Sequence, residues 1–154
     1  NPLNQPVLKS ALRTTDANKK EVGQVFLRPV DGGVQVYGKL MNLTPGQTVA
    51  LHIHETGSCD VMGKAAGGHF NPDKKPHSNP DDMNGHAGDL PNLTANENGV
   101  ATINYVNKKI AATEAGKYSV NRLAFIVHGG TDDYTSQPAG NAGDRIACGI
   151  IEKN

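Results

Sequence analysis

At 154 residues the chain fits one domain, long enough to bury a core without help from metals or partners. Its 15 basic and 15 acidic residues cancel, and no run of Lys or Arg could follow a phosphate backbone, so nucleic acid is not the expected partner. No apolar stretch approaches the roughly 18 residues of a membrane span, and residues 1–10 lack the charged-then-apolar layout of a signal peptide. Asn1 to Pro6 reads as an extended tail, and equally as the cut end of a tether whose anchor lies upstream.

Turn chemistry then recurs about every ten residues, the spacing of an antiparallel sandwich or barrel. A first strand is expected near Val7 to Arg13. Val22 to Val30 ends at Asp31-Gly32-Gly33, Val34 to Leu43 ends at Thr44-Pro45-Gly46, and Thr48 to His54 follows, which reads as a three-strand meander. Asn98-Gly99 separates a short apolar segment at Leu93 from Val100 to Val106. Leu123 to His128 and Arg145 to Ile151 complete eight strands. Residues 55–92 and 129–144, rich in Gly, Pro, Asn and Asp, break this rhythm, and loops of that length in a compact domain carry function or disorder.

All six histidines lie in or beside these two loops. His52 and His54 are one residue apart on a predicted strand, so the period of two puts both rings on one face and sends Leu51 and Ile53 into the core. The same alternation puts His128 on the face of Ile126, opposite Phe125 and Val127. His69, His77 and His86, with Asp89 three residues later, supply nitrogen and oxygen donors suited to a closed tetrahedral zinc site. A lone histidine would ordinarily be a surface or satisfied core residue; the joint arrangement points to metal.

Four runs carry a resemblance. Leu51-His52-Ile53-His54-Glu55, Gly67-Gly68-His69-Phe70-Asn71-Pro72, His86-Ala87-Gly88-Asp89-Leu90-Pro91, and Gly140 to Gly149 (GNAGDRIACG) closely resemble copper,zinc superoxide dismutase, in order and across nearly the whole chain. The resemblance implies a single all-β domain over residues 1–154, an immunoglobulin-like eight-stranded antiparallel Greek-key barrel with two long functional loops. It implies one copper ion, bound by His52, His54, His69 and His128, and one zinc ion, bound by His69, His77, His86 and Asp89, with His69 as the bridge. The implied activity is dismutation of superoxide to dioxygen and hydrogen peroxide, with His69 also carrying a proton and Arg145 docking the anion. Asp132 matches the carboxylate that orients one ligand of each metal; its rival is Asp133.

Where the chain departs from the family, further questions arise. Asp144 directly precedes Arg145, and the late loop is short and has no Lys, so Lys64, Lys74 and Lys75 become candidates for attracting the anion. Cys59 and Cys148 fall at family cysteine positions, and the disulfide this implies favours an extracytoplasmic setting: periplasm, cell surface or secretion. The other reading is a copper-carrying or copper-storing barrel without dismutase activity. Ile150, Ile151 and Thr56 offer either a homodimer face or ordinary edge positions.

Overall fold

The computed structural model describes residues 6–137 and 139–154, so residues 1–5 of the expected tail lie outside the described part. Among the described residues nine strands are present: β1 Leu8–Thr14, β2 Glu21–Val30, β3 Gly33–Leu40, β4 Thr48–His54, β5 Leu93–Thr94, β6 Ala101–Asn107, β7 Ala124–His128, β8 Arg145–Ile150 and β9 Glu152–Lys153. Among the described residues there is no α-helix, only a 3-10 turn at Lys64–Ala66. The strand order is β5-β4-β7-β8-β1-β2-β3-β6, with β9 adding to β1. Every ladder is antiparallel.

The β2–β3 hairpin forms as Asp31-Gly32 predicts. Val30 pairs with Gly33, and Gly32 takes φ 83°, the positive value that a tight hairpin turn demands. The expected meander through β4 does not form. Instead β3 pairs with β6, while β4 lies at the other end of the order between β5 and β7. Residues after Leu40 leave the sheet because Asn42 adopts φ 62°. The following peptide groups bond to a distant turn: Leu43 N–H to the Gly99 carbonyl, Gly46 N–H to that of Ala95, and Ala95 N–H back to that of Gln47. The crossover makes the barrel a Greek key.

Alternation fills the interior. Leu12, Leu27, Leu40, Leu51, Ile53, Ile103, Phe125 and Val127 form one core with no more than 2% of any of them exposed. Ile151 belongs to that core, which removes it from any self-association face; Ile150 and Thr56 are exposed. On the outside of the wall, Ala124, Ile126 and Cys148 form a second, smaller cluster with Ala66 of the first long loop. That cluster seats the loop on the barrel.

Candidate metal centre

Register decides which histidines meet. Across β4 and β7, Leu51 faces Val127 and Ile53 faces Phe125 in the core, so His52 opposite Ile126, His54 opposite Ala124 and Ala50 opposite His128 share the outer face. The three rings are nevertheless buried, because the loop after β4 covers that face. It does so by running along the edge of β4 that β5 leaves unpaired beyond Val49. Phe70 N–H donates to the Ile53 carbonyl, Ile53 N–H to that of Gly88, and Gly88 N–H to that of Phe70, at 2.8–2.9 Å. His69 is thereby bridged to His54, and Asp89 to His52. Phe70, Ala87 and Leu90 add their side chains to the barrel core.

Two buried donor sets result. Ligand atoms of His52, His54, His69 and His128 lie within 4.8 Å of one another, and so do those of His69, His77, His86 and Asp89. His69 belongs to both: its Nδ1 stands 2.9 Å from Asp89 Oδ1 and 3.1 Å from His86 Nδ1, leaving Nε2 for the first set. In the first set the outer nitrogens are occupied. His54 Nδ1 donates to the Gly67 carbonyl at 2.9 Å, His128 Nδ1 to that of Gly143 at 3.1 Å, and His52 Nε2 to Asp132 Oδ2 at 2.7 Å. These bonds select the tautomers whose lone pairs face inward, where His54 Nε2 and His128 Nε2 approach to 3.3 Å.

The residues fit the ions. His52 Nδ1, His69 Nε2 and His77 Nδ1 are fully buried without a hydrogen-bond partner. His77 Nδ1 lies 2.9 Å from Asp89 Oδ2 without hydrogen-bond alignment, as two ligand atoms aimed at a common point would. Such orphans are costly unless something else binds them. Four imidazole nitrogens suit copper, and three with a carboxylate suit zinc. Burial drives His52 down to about 3 and His128 to about 4, and holds His54 and His69 low as well, so all four rings present neutral, ligating nitrogen. For His77, burial is outweighed by the hydrogen bond to Asp132 and by the neighbouring Asp89 carboxylate, which together raise it to about 9. Burial also opposes ionisation of Asp89, yet His69, hydrogen-bonded to it, and the adjacent His77 and His86 rings keep its carboxyl well below the usual range.

Asp132 joins the sets: its Oδ2 accepts from His52 Nε2 and its Oδ1 from His77 Nε2 at 2.8 Å. Asp133 is exposed and caps its own loop at Ser136 and Thr135. Arg145, at the start of β8, is half-buried, with Nη1 donating to the Gly63 carbonyl at 2.7 Å and Nη2 to that of Gly67 at 2.6 Å. One carbonyl, Gly67, therefore orients both Arg145 and His54. A cleft of about 480 Å³ brings Arg145 together with His54, His69, His86, Lys74 and Glu55. Lys64 and Lys75 do not line it. Asp144 is exposed and forms no ion pair with Arg145 among the described residues. Cys59 and Cys148 form a disulfide, with Cα atoms 5.8 Å apart.

The copper/zinc superoxide dismutase family model matches residues 21–151. The chain belongs to that family. It is 38% identical over 149 residues to superoxide dismutase [Cu-Zn] 1 of Aquifex aeolicus, covering 94% of this chain and 88% of that one. Identity to superoxide dismutase [Cu-Zn] 2 of the same organism is 36% over 148 residues, 94% and 86% covered. Among solved structures, a double mutant of a SOD-like protein from Bacillus subtilis superposes with TM-score 0.84 at 35% identity, covering 94% of this chain and 96% of that one. As a copper/zinc superoxide dismutase the protein uses copper and zinc to convert superoxide to dioxygen and hydrogen peroxide. No observation favours a copper-carrying barrel without activity. Among the described residues no helix is long and apolar enough to cross a membrane.

Proposed function

We propose that, within a single domain over residues 1–154, His52, His54, His69 and His128 hold the copper and His69, His77, His86 and Asp89 hold the zinc, with His69 bridging. The observation that carries this reading is the set of buried nitrogens left without partners, His52 Nδ1 and His69 Nε2 toward one set and His77 Nδ1 toward the other. When bound, copper supplies one-electron exchange with superoxide, and zinc supplies a fixed positive charge beside it. Two superoxide anions and two protons are consumed for each dioxygen and hydrogen peroxide released.

The side chains divide the remaining work. Arg145 docks the anion: its two terminal nitrogens each give one N–H to a loop carbonyl, and the guanidinium keeps further donors for the cleft. Burial lowers its pKa, but from so high a value that the charge persists. His69 carries a proton at Nε2, the nitrogen with no protein partner, while Nδ1 stays directed at the zinc set. Asp132 fixes the ring planes of His52 and His77 by accepting from both.

Metal counts on two variants test the assignment. His54→Ala should keep its zinc and lose activity, and His86→Ala should lose zinc while still binding copper. Parent-level copper in the first, or parent-level zinc in the second, would overturn it.

We infer further that the protein works outside the cytoplasm, in the periplasm, at the cell surface or secreted. The disulfide supports this, since such crosslinks persist where thiol reductants are scarce. Cell fractionation with activity staining decides; activity confined to the cytoplasmic fraction would reject it. Self-association through exposed Thr56 and Ile150 would give a homodimer, read as a doubled mass by light scattering.

A further inference from the structure

The late loop, residues 129–144, and the long loop after β4, residues 55–92, grip each other through two matching pairs of hydrogen bonds. The Gln137 carboxamide accepts from the His77 backbone N–H at 2.7 Å and donates to the His77 carbonyl at 2.7 Å. The Asn92 carboxamide treats Asp132 the same way, accepting from its N–H and donating to its carbonyl, both at 2.9 Å. Each loop thus lends one amide side chain to the backbone of the other. One clamp holds a zinc-set histidine; the other holds the aspartate that joins His52 to His77.

The surroundings leave these clamps little slack. Gln137 Nε2 also donates to the Thr135 carbonyl at 2.9 Å, which orients the amide. Tyr134 N–H donates to Asp132 Oδ1 at 2.7 Å, and its hydroxyl accepts from Asn92 N–H at 3.0 Å. At Gly140 (φ 72°) a Cβ would stand 1.8 Å from Asp132 Oδ1 and 2.7 Å from His77 Nε2, so the backbone itself packs on the carboxylate. Only a carboxamide offers a donor and an acceptor side by side with no charge, the match for one residue's N–H and C=O together. An ionised carboxylate could accept but not donate.

We propose that Gln137 and Asn92 are positioning residues, Gln137 setting zinc affinity through His77 and Asn92 linking the zinc set to His52 through Asp132. This rests on the zinc assignment above. A net hydrogen bond shifts an equilibrium by roughly two- to tenfold, and residues behind metal ligands commonly change affinity by about tenfold or more, so losing a two-bond clamp should cost about tenfold in zinc affinity.

The test measures zinc dissociation constants by competition with a chromophoric chelator, and the Cu(II) electron paramagnetic resonance spectrum of protein loaded with both metals. Gln137→Ala should weaken zinc about tenfold and leave the copper spectrum at the parent form. Gln137→Glu should weaken zinc as well, because it sets a carboxylate oxygen against the His77 and Thr135 carbonyls in place of the donor. Asn92→Ala should weaken zinc and also alter the copper spectrum, because Asp132 holds His52. Thr135→Ala is the control: among the described residues its hydroxyl bonds only to Asp133 of the same loop, and zinc affinity should not change. Gln137 is exposed, so Gln137→Ala removes no core contact. The clamps are refuted if both alanine variants stay within twofold of the parent, or if Thr135→Ala loses as much affinity as Gln137→Ala. His77→Ala separates the two levels. Zinc retained there rejects the metal assignment, whereas zinc lost there with Gln137→Ala unchanged rejects the clamps alone.

Discussion

The two donor sets are held by different parts of the molecule. His52, His54 and His128 stand on β4 and β7, where the sheet register alone aims them outward over a packed interior. His77, His86 and Asp89 stand on a loop that has, apart from one 3-10 turn and isolated bridges, no regular structure of its own. That loop is held by backbone bonds to the free edge of β4, a few apolar anchors, a disulfide and the amide clamps. The strand-borne set is therefore prepared by the barrel before any ion binds, while the loop-borne set, under the proposed assignment, would gain order from the ion as well.

The sharpest way to break this contrast is to weaken each side separately. Phe125→Ala, in the barrel core, should cost about 3–5 kcal/mol in urea unfolding, and nearly as much without metals as with them. A loss that vanished on metal loading would mean the barrel is not the independent scaffold. On the loop side, the disulfide closes a sequence separation of 89 residues, for which chain entropy gives roughly 4 to 5 kcal/mol as an upper figure. Cys59→Ser should lower the melting temperature most in the metal-free protein, because bound ions tie down the same loop in the loaded one. Equal loss in both forms would show that ions and crosslink hold different segments.

Arg145→Ile comes next, since the residue is the first of β8 but is aimed by two loop carbonyls. Both metal counts should stay at parent level, and the dismutation rate should fall about tenfold to a thousandfold. Salt should then slow the variant less than the parent, because part of the attractive field is gone. Full activity with an unchanged salt slope would leave Lys74, the other cation lining the cleft, as the residue to test. The smallest effect belongs to Asp144→Asn. That carboxylate is exposed and unpaired with Arg145, so pulse-radiolysis rates should rise less than about twofold, an increase that added salt abolishes.

Much of this could be read along the chain. The strand at Thr48–His54 matches its predicted limits, β2, β6 and β7 begin within a residue of theirs, and the outward placement of His52, His54 and His128 follows from a period of two. Side-chain alternation is a local property of the extended backbone and needs no knowledge of what lies alongside. The donor types are equally local: three imidazoles and a carboxylate on one loop suit zinc wherever the loop lies.

What the chain alone left open were relations between distant segments. The expected meander gave way to β3 pairing with β6, because Leu43, Gly46 and Gln47 satisfied their backbone groups at Ala95 and Gly99 rather than across a hairpin. Ile151, which by sequence suits an edge or an interface, lies in the core, and β9 beyond it is too short, at Glu152–Lys153, to show any alternation. Asp132 rather than Asp133 meets both histidines, a choice between neighbours that turns on which carboxylate the late loop presents inward. Gln137, Asn92 and the shared carbonyl of Gly67 had no periodicity or motif to mark them. Their roles exist only once two loops far apart in sequence lie on the same outer wall, and that is decided by which buried polar groups can find partners there, a property of the whole fold.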